Sequence, residues 1–291
     1  MSSVWVDLLG AEVKYYDAGG VRTRCIEAGE GPPVIFLHGI GGHAEAYARN
    51  VVPLSDRFRV LAIDSLGSGL TGSGDKPADL DGYLEHLGAF MDAAGLEKAH
   101  LAGESLGGWI AMWMAIRHPE RVDKIVSICG ARLTVETDPE SRVWTDRGRD
   151  ELKRLTQQFV EDPTRDNVRK RMEWLFHKPE RDLTEELVDI RWAMYQRGEL
   201  RNSLAGSAKM LGSRPAHDDG LDFTPERLAE IKHETLMLWS SHNPSNTAAT
   251  AKRASAYLPN CSFQVMDDCG HWPQWEDADT FNEIIAGFLK D

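Results

Sequence analysis

Ser105 lies in a stretch whose residue types and spacing could support nucleophilic chemistry. Residues 99–116 contain a short apolar strand, then Gly103-Glu104-Ser105-Leu106-Gly107, then an almost wholly apolar helix. Glycines two residues on either side of the serine allow a turn so sharp that its hydroxyl projects beyond the strand. Gly-x-Ser-x-Gly alone is also an ordinary turn sequence, but the strand before it and the helix after it favour a nucleophile.

A serine nucleophile needs a base and donors for the oxyanion that its attack creates. Of the ten histidines, His271 follows the last predicted strand, which is the position expected of a base, although a lone histidine is more often structural. The backbone N–H groups of Leu106 and Ile40 are the predicted oxyanion donors. Ile40 lies in a glycine-rich loop after a buried strand, and His38 is interpreted as the organiser of that loop.

The elements that position these residues alternate between apolar strands and helices. An opening antiparallel hairpin is followed by strand, helix, strand and helix in repetition, which predicts an α/β fold with a mostly parallel, doubly wound sheet. A glycine-rich loop at 65–77 lacks the Gly-Lys-Ser/Thr ending of a phosphate-binding loop, so a flexible turn is expected there. The predicted strands cover 13–16, 21–28, 33–37, 58–63, 99–102, 124–129, 235–239 and 262–266.

The composition changes at about residue 132. From 132 to 215 the chain is rich in Arg, Glu and Asp, carries apolar residues at helical spacing and lacks strand-like runs. We therefore expect a helical lid (132–215) inserted into a core formed by 1–131 and 216–291. Its charged residues are typical of solvated helix faces.

Overall composition excludes several classes of function. The net charge of −13 argues against binding to nucleic acid or to an anionic membrane surface. The four cysteines lack Cys-x-x-Cys spacing, and no cluster has the spacing of metal ligands, so neither metal nor organic cofactor is expected. The first residues lack the pattern of a signal peptide, and no apolar run approaches ~18 residues, which predicts a cytoplasmic protein. The partner that we expect is a small-molecule substrate. A homo-oligomer is left open.

Over its whole length the chain resembles the α/β-hydrolase fold, with an inserted helical lid. The resemblance is carried by His38-Gly39, Gly103-x-Ser105-x-Gly107, His118-Pro119-Glu120-Arg121-Val122 and Gly270-His271. Within that superfamily the chain is most similar to the meta-cleavage product hydrolases. These enzymes split a carbon–carbon bond in 2-hydroxy-6-oxohexa-2,4-dienoates made by aromatic ring fission. The segments 269–276, 191–192 and 196–197 carry this closer likeness.

The resemblance implies a substrate site in which an arginine and a tryptophan line the dienoate end. The matching residues here are Arg191 and Trp272, with Gly39, Gly41 and Glu104 alongside them. A solvated helix face is the alternative for Arg191. The residue before the nucleophile, where the family has asparagine, is Glu104 in this chain. The loop after His38-Gly39 is also shorter than the Gly-Pro-rich loop of the family.

The expected triad acid is replaced. The family places an aspartate after a sheet strand, and this chain has Asn243 there. Asparagine can accept the histidine N–H and hold its tautomer, but it cannot stabilise an imidazolium by charge. Either Asn243 orients His271, or a carboxylate such as Glu136 or Asp138 takes over.

Four functions are consistent with this sequence. The leading one is a serine-dependent hydrolase of carbon–carbon bonds, in which the dienol first becomes a ketone and Ser105, or a water activated through His271, then attacks the distal carbonyl. The second is a carboxylesterase or lactonase that uses the same residues. The third is a binding protein that has lost turnover, which Asn243 favours, and the fourth is a cofactor-independent oxygenase.

Overall fold

The strands form one mixed sheet in the part of the chain that the structure describes. This computed structural model describes residues 3–196 and 220–290. The eight strands lie in the order β1-β2-β4-β3-β5-β6-β7-β8. β1 and β2 pair antiparallel, as do β2 and β4, and the other pairs are parallel. The strands are β1 Glu12–Ala18, β2 Val21–Ala28, β3 Pro33–Leu37, β4 Arg59–Ile63, β5 Ala99–Glu104, β6 Val122–Ile128, β7 Thr235–Ser240 and β8 Cys261–Met266.

Helices connect the strands and cover both faces of the sheet, so the predicted doubly wound α/β architecture is confirmed. None of the helices in the described ranges is long and apolar enough to cross a membrane. A short helix at the start of the chain was not predicted. The helices are α1 Val4–Asp7, α2 Ala48–Leu54, α3 Leu80–Ala93, α4 Leu106–Arg117, α5 Pro139–Glu161, α6 Arg165–Glu173, α7 Pro179–Asp182 and α8 Glu185–Tyr195, and then Pro225–Glu230, Ala248–Ser255, Pro273–Glu276 and Ala278–Leu289.

The central strands are apolar on both faces, which explains their continuous apolar sequences. Side chains of a strand alternate between the faces of the sheet, so a strand covered on both faces needs apolar residues throughout. In β3, Phe36 packs with Phe281 of the last helix, whereas Ile35 faces the cluster that contains Trp109 of α4. The sheet is therefore a rigid platform whose C-terminal edge carries the loops that follow β3, β5, β7 and β8.

The helical insertion leaves the core after β6. Its described part, up to residue 196, contains α5 to α8, and a bridge between Leu133 and Phe223 joins its two ends at the base. The predicted limits of 132–215 include residues 197–215, which lie outside the described residues, as does Arg197 of the resemblance. We retain the division into core and lid as a proposal.

Strand β5 is longer than predicted, and the extension matters for the site. The sequence predicted a strand that ends at residue 102, because the glycines that follow are poor strand formers. In the structure β5 continues through Glu104, which pairs with Ile128 of β6 and donates its backbone N–H to the Tyr47 hydroxyl at 3.2 Å. Pairing with neighbouring strands outweighs the local preference, and it fixes the backbone of Glu104 next to the serine.

Candidate active site

Ser105 sits in a tight turn between β5 and α4. Its φ of 53° lies in the left-handed region, which a non-glycine residue adopts only where the surrounding structure holds it. Both flanking glycines are needed. A Cβ on Gly103 would lie 2.1 Å from the Gly107 carbonyl carbon, and a Cβ on Gly107 would lie 2.0 Å from the Leu37 oxygen. The turn presents the serine hydroxyl at the C-terminal edge of the sheet.

His271 reaches the same place from the loop after β8. Its backbone N–H donates to the carbonyl of Leu175 in the lid at 2.6 Å. The preceding Gly270 is packed so closely that a Cβ would lie 2.5 Å from the backbone nitrogen of His177. The Trp174 ring lies edge-on to the imidazole with centroids 5.2 Å apart. The lid therefore holds the histidine loop in position, and the glycine is required by this contact.

The two ring nitrogens of His271 have different partners. Nδ1 lies 2.7 Å from Oδ1 of Asn243, which can only accept a hydrogen bond, so Nδ1 carries a proton. The amide group of Asn243 donates to the Asn246 carbonyl at 2.9 Å, which fixes which end faces the imidazole. Nε2 lies 2.9 Å from Oε1 of Glu104, and because a carboxylate can only accept, this contact is a hydrogen bond when Nε2 carries a proton. The imidazole is thus held between a neutral amide and a carboxylate.

The contact with Glu104 was not foreseen from the sequence. The side chain is buried, with 1% of its surface exposed, and its second oxygen accepts the Gly39 N–H at 2.8 Å. A buried carboxylate requires a cation or several donors, so an acid at the end of an apolar strand was itself a sign of a polar partner. By contrast, Asp138 accepts the N–H of Ser141 at the start of α5 and pairs with Arg253.

Ser105 and His271 line the same cavities, but the structure gives these two described residues no mutual hydrogen bond. The nitrogen that would accept the serine proton faces Glu104 instead. Catalytic hydrogen bonds in unliganded enzymes are often long and tighten when substrate binds. Transfer of a proton from Ser105 to Nε2 therefore requires a small shift of Glu104 or of the imidazole.

The loop that follows β3 is anchored by the core and by the lid. His38 donates from Nδ1 to the Gly39 carbonyl at 2.7 Å and accepts the Ser65 N–H on Nε2 at 3.1 Å. Burial lowers the pKa of His38 to about 4, so the ring is neutral. From the lid, Tyr195 donates its hydroxyl to the Gly41 carbonyl at 2.8 Å. These bonds hold Ile40 beside Ser105, where both residues line the same cavities.

Two cavities meet at Ser105. The larger has a volume of about 290 Å³ and the smaller about 20 Å³, which is room for about one water molecule. Ile40, Ser105 and His271 line both of them. The smaller cavity is also lined by Gly39, Gly42, Glu104, Leu152, Arg171, Trp174, Leu175, Arg191 and Trp272. Ser105 thus stands between a confined end that Arg171 and Arg191 line and a wider chamber that includes Ala131, Leu133 and Thr145.

Arg191 is buried on α8, with 1% of its surface exposed, so it does not lie on a solvated helix face. Its guanidinium lies 4.9 Å from the centre of the Trp272 ring, and Nε lies 3.5 Å from Nε2 of His43. Neither Nη1 nor Nη2 has a hydrogen-bond partner among the described residues. Burial lowers the pKa of Arg191 to about 10, so it stays cationic at neutral pH. An anion would satisfy both nitrogens.

Comparison with known proteins supports the same family. The family model described as the alpha/beta hydrolase fold matches residues 32–278. The chain belongs to this family. It is 32% identical to a 2-hydroxy-6-oxononadienedioate/2-hydroxy-6-oxononatrienedioate hydrolase of Klebsiella pneumoniae, covering 94% of this chain and 93% of the relative. It is 30% identical to the 2-hydroxymuconate semialdehyde hydrolase of Pseudomonas sp. strain CF600, covering 94% and 92%.

Solved structures extend this likeness to three dimensions. The 2-hydroxy-6-oxo-6-phenylhexa-2,4-dienoate hydrolase of Rhodococcus sp. strain RHA1 superposes with a TM-score of 0.81 at 25% identity, covering 97% of this chain and 99% of that chain. A meta-cleavage product hydrolase of Pseudomonas fluorescens IP01 superposes with a TM-score of 0.79 at 26% identity, covering 97% and 98%. The predicted resemblance to α/β hydrolases of the meta-cleavage product group is confirmed.

A partly buried carboxylate beside the loop that carries His271 links the stability of the protein to pH. Glu276 accepts the backbone N–H of Gly270 at 2.7 Å and of His177 at 2.8 Å, and burial raises its pKa to about 7. Between its ordinary pKa and about 7 the folded state holds a proton that the unfolded chain has lost, so stability falls as the pH rises. Between pH 5 and pH 8, we expect the unfolding free energy of wild type to fall by about 2 kcal/mol more than that of Glu276→Gln.

Urea unfolding of both proteins at the two pH values measures this difference. The glutamine variant offers only one acceptor for two N–H groups, so its stability should be lower at pH 5. Other groups titrate alike in the two proteins and cancel in the comparison. Parallel pH curves would show that Glu276 does not titrate in this range.

Proposed function

We propose that this chain hydrolyses a carbon–carbon bond in a 2-hydroxy-6-oxohexa-2,4-dienoate-type product of aromatic ring fission. The observation that carries the proposal is the unpartnered, buried guanidinium of Arg191 in the small cavity beside Ser105. A buried cation without a counter-ion is unfavourable unless a ligand supplies the charge. The names of the relatives point to dienoates, which end in a carboxylate.

In this proposal the two cavities receive the two ends of such a substrate, and the small cavity, which has room for about one water molecule, widens as the dienoate enters. The carboxylate binds Arg191, with the dienoate chain against Trp272, and the distal carbonyl comes to Ser105. The group beyond that carbonyl enters the wider chamber, where Ala131 and Leu133 contribute apolar surface. Cleavage then releases a five-carbon dienoate on the arginine side and an acid on the chamber side.

The proposed mechanism has two parts. First the dienol becomes a ketone, which makes the bond between C5 and the distal carbonyl cleavable. Ser105, or a water activated through His271, then attacks that carbonyl, while the N–H groups of Ile40 and Leu106 stabilise the oxyanion. Asn243 keeps Nδ1 protonated, which leaves Nε2 to accept the serine proton once Glu104 or the imidazole has shifted.

The negative charge that a triad acid normally supplies comes from Glu104 in this proposal. Its carboxylate lies 2.9 Å from Nε2 and stabilises the imidazolium that forms when His271 takes a proton. A carboxylate on either side of the ring provides this electrostatic stabilisation. The substitution at Asn243 therefore does not imply a binding protein without turnover.

The comparisons do not favour an ester as substrate. Relatives that match 90–94% of this chain are named as hydrolases of 2-hydroxy-6-oxononadienedioate and 2-hydroxy-6-oxononatrienedioate or of 2-hydroxymuconate semialdehyde. An ester without a carboxylate would also leave the guanidinium of Arg191 unpartnered.

Ser105 and His271 act as a unit in this mechanism, so the loss of either should abolish most turnover. We expect Ser105→Ala and His271→Ala each to lower kcat by about 10⁴ or more, and the double variant to lose little beyond that. The decrease in absorbance of a yellow ring-fission product measures turnover. A single variant within tenfold of wild type would contradict the assignment.

Arg191 binds the carboxylate through two parallel hydrogen bonds, which lysine cannot reproduce. We expect Arg191→Lys to lower kcat/KM on a dienoate by roughly 10- to 100-fold, because a charge-assisted hydrogen bond is lost. The loss on a neutral p-nitrophenyl ester should be much smaller. Equal losses on the two substrates would mean that Arg191 supports the fold and not the ligand.

The position of the negative charge can be tested by moving it. Glu104→Gln should lower kcat by roughly 10- to 100-fold, because no charge then stabilises the imidazolium. Asn243→Asp alone should equal or exceed wild type. The double variant Glu104→Gln/Asn243→Asp should recover most of the loss, since the carboxylate returns to the Nδ1 side.

Matched controls are the two carboxylates that the sequence left as alternative acids. Glu136→Gln and Asp138→Asn should keep turnover near wild type. A collapse in either one, together with normal turnover in Asn243→Ala, would exclude the assignment of Asn243. Failure of Asn243→Asp to improve Glu104→Gln would exclude the relocated charge.

A further inference from the structure

A second buried arginine lines the small cavity and has no part in the function proposed above. Arg171 lies on α6, and 1% of its surface is exposed. It donates from Nε to the Thr156 hydroxyl at 3.1 Å and from Nη2 to the Ile40 carbonyl at 3.1 Å. Nη1 has no partner among the residues that the structure describes.

The nearby carboxylates are already engaged. Glu104 contacts His271 and Gly39, and Glu45 contacts Arg24 and His43. In the described part of the chain, the hydrogen bonds of Arg171 and Arg191 go to a hydroxyl, a backbone carbonyl and an imidazole, never to a carboxylate. Among the described residues, the two buried guanidinium groups of the small cavity therefore have no direct hydrogen bond to a carboxylate, although Glu104 lines the same cavity.

The number of free donors indicates the ligand. Arg191 has two unpartnered terminal nitrogens, which match the two oxygens of one carboxylate. Arg171 has one unpartnered nitrogen, Nη1, and needs one more oxygen acceptor in the same cavity. A carboxylate with an oxygen on the adjacent carbon presents three oxygens close together. A simple carboxylate presents two and leaves Nη1 unsatisfied.

We propose that Arg171 binds the oxygen on C2 of the substrate and thereby selects 2-oxygenated carboxylates. The inference rests on the proposed function and specifies the substrate class of the same site. Arg171 is thus a specificity-determining residue that contacts the substrate directly. Its bonds to Thr156 and Ile40 hold the guanidinium in place beside the small cavity, which Arg171 and Arg191 both line.

A cation at this position also assists the conversion of dienol to ketone. The O–H proton on C2 leaves to solvent, and the oxygen lone pair forms the C2=O bond. The C2=C3 electron pair becomes the C3=C4 bond, while the C4=C5 pair binds a proton delivered from solvent through His271. One proton leaves and one arrives, so the step is an isomerisation. The C2 oxygen carries most negative charge between the two transfers, when Nη1 stabilises it.

Two stable acids that differ only at C2 test the proposal. In a Ser105→Ala background, calorimetry measures the affinities for 2-oxopentanoate and for pentanoate. We expect 2-oxopentanoate to bind about tenfold more tightly or better, because it adds a hydrogen bond to a charged donor. Arg171→Met should reduce this ratio to within about twofold, and Arg171→Lys should retain part of it.

The ratio separates recognition of the C2 oxygen from a structural role. Movement of the Ile40 loop would lower the affinities for both acids by the same factor and leave their ratio unchanged. Arg191→Met should have the same effect. Arg169→Met, on the same helix but paired with Glu185 at the surface, should change neither affinity. An unchanged ratio in Arg171→Met would overturn the inference.

The proposed function can fail separately. If wild type cleaves a ring-fission product but the Ser105→Ala variant binds 2-oxopentanoate no more tightly than pentanoate, the inference alone is wrong. If the protein neither cleaves the product nor binds either acid, the carboxylate site itself is wrong, and the inference falls with it.

Discussion

The chemistry of this protein depends on how the imidazole of His271 is held. Its Nδ1–H donates a hydrogen bond to Oδ1 of Asn243 at 2.7 Å, and its Nε2 lies 2.9 Å from the carboxylate of Glu104. In the proposed mechanism the neutral amide fixes the tautomer, and the carboxylate supplies the charge. Orientation and charge, which a triad aspartate combines in one side chain, are then divided between residues on opposite sides of the ring.

The lid contributes to this arrangement as much as the core does. Leu175 accepts the backbone N–H of His271, and Trp144 donates its indole N–H to the Asn243 carbonyl at 2.9 Å. Helix α5 passes so close to the loop that carries Asn243 that a Cβ on Gly148 would lie 1.6 Å from the Pro244 oxygen. Both loops that carry the catalytic side chains are thus fixed by lid residues. A lid that moved away would leave His271 less well oriented.

The charge inside the site is opposite to that of the molecule. The chain carries a net charge of −13, yet the small cavity contains the guanidinium groups of Arg171 and Arg191. Neither has a carboxylate partner among the described residues, and burying them without one is unfavourable for folding. In the proposed function, the carboxylate of the substrate binds these guanidinium groups directly, and part of its affinity comes from this pairing.

Local sequence determined the elements and the nucleophile. The apolar runs of the strands and the glycines around Ser105 act over a few residues, since a strand covered on both faces and a tight turn each restrict their own residue types. The position of His271 after the last strand followed from the same reasoning. The C-terminal ends of parallel strands meet at one edge, which is why residues far apart in sequence were expected together.

Only the tertiary structure decided the partners of buried polar groups. The sequence was equally compatible with Arg191 as a substrate-binding residue and as part of a solvated helix face, because helical spacing does not reveal what covers a lid helix. Packing against Trp272 buries it. Glu104 was expected near the substrate, but its pairing with His271 depends on the last residue of β5 meeting a loop more than 160 residues later. Such contacts arise from long-range packing, which no local pattern records.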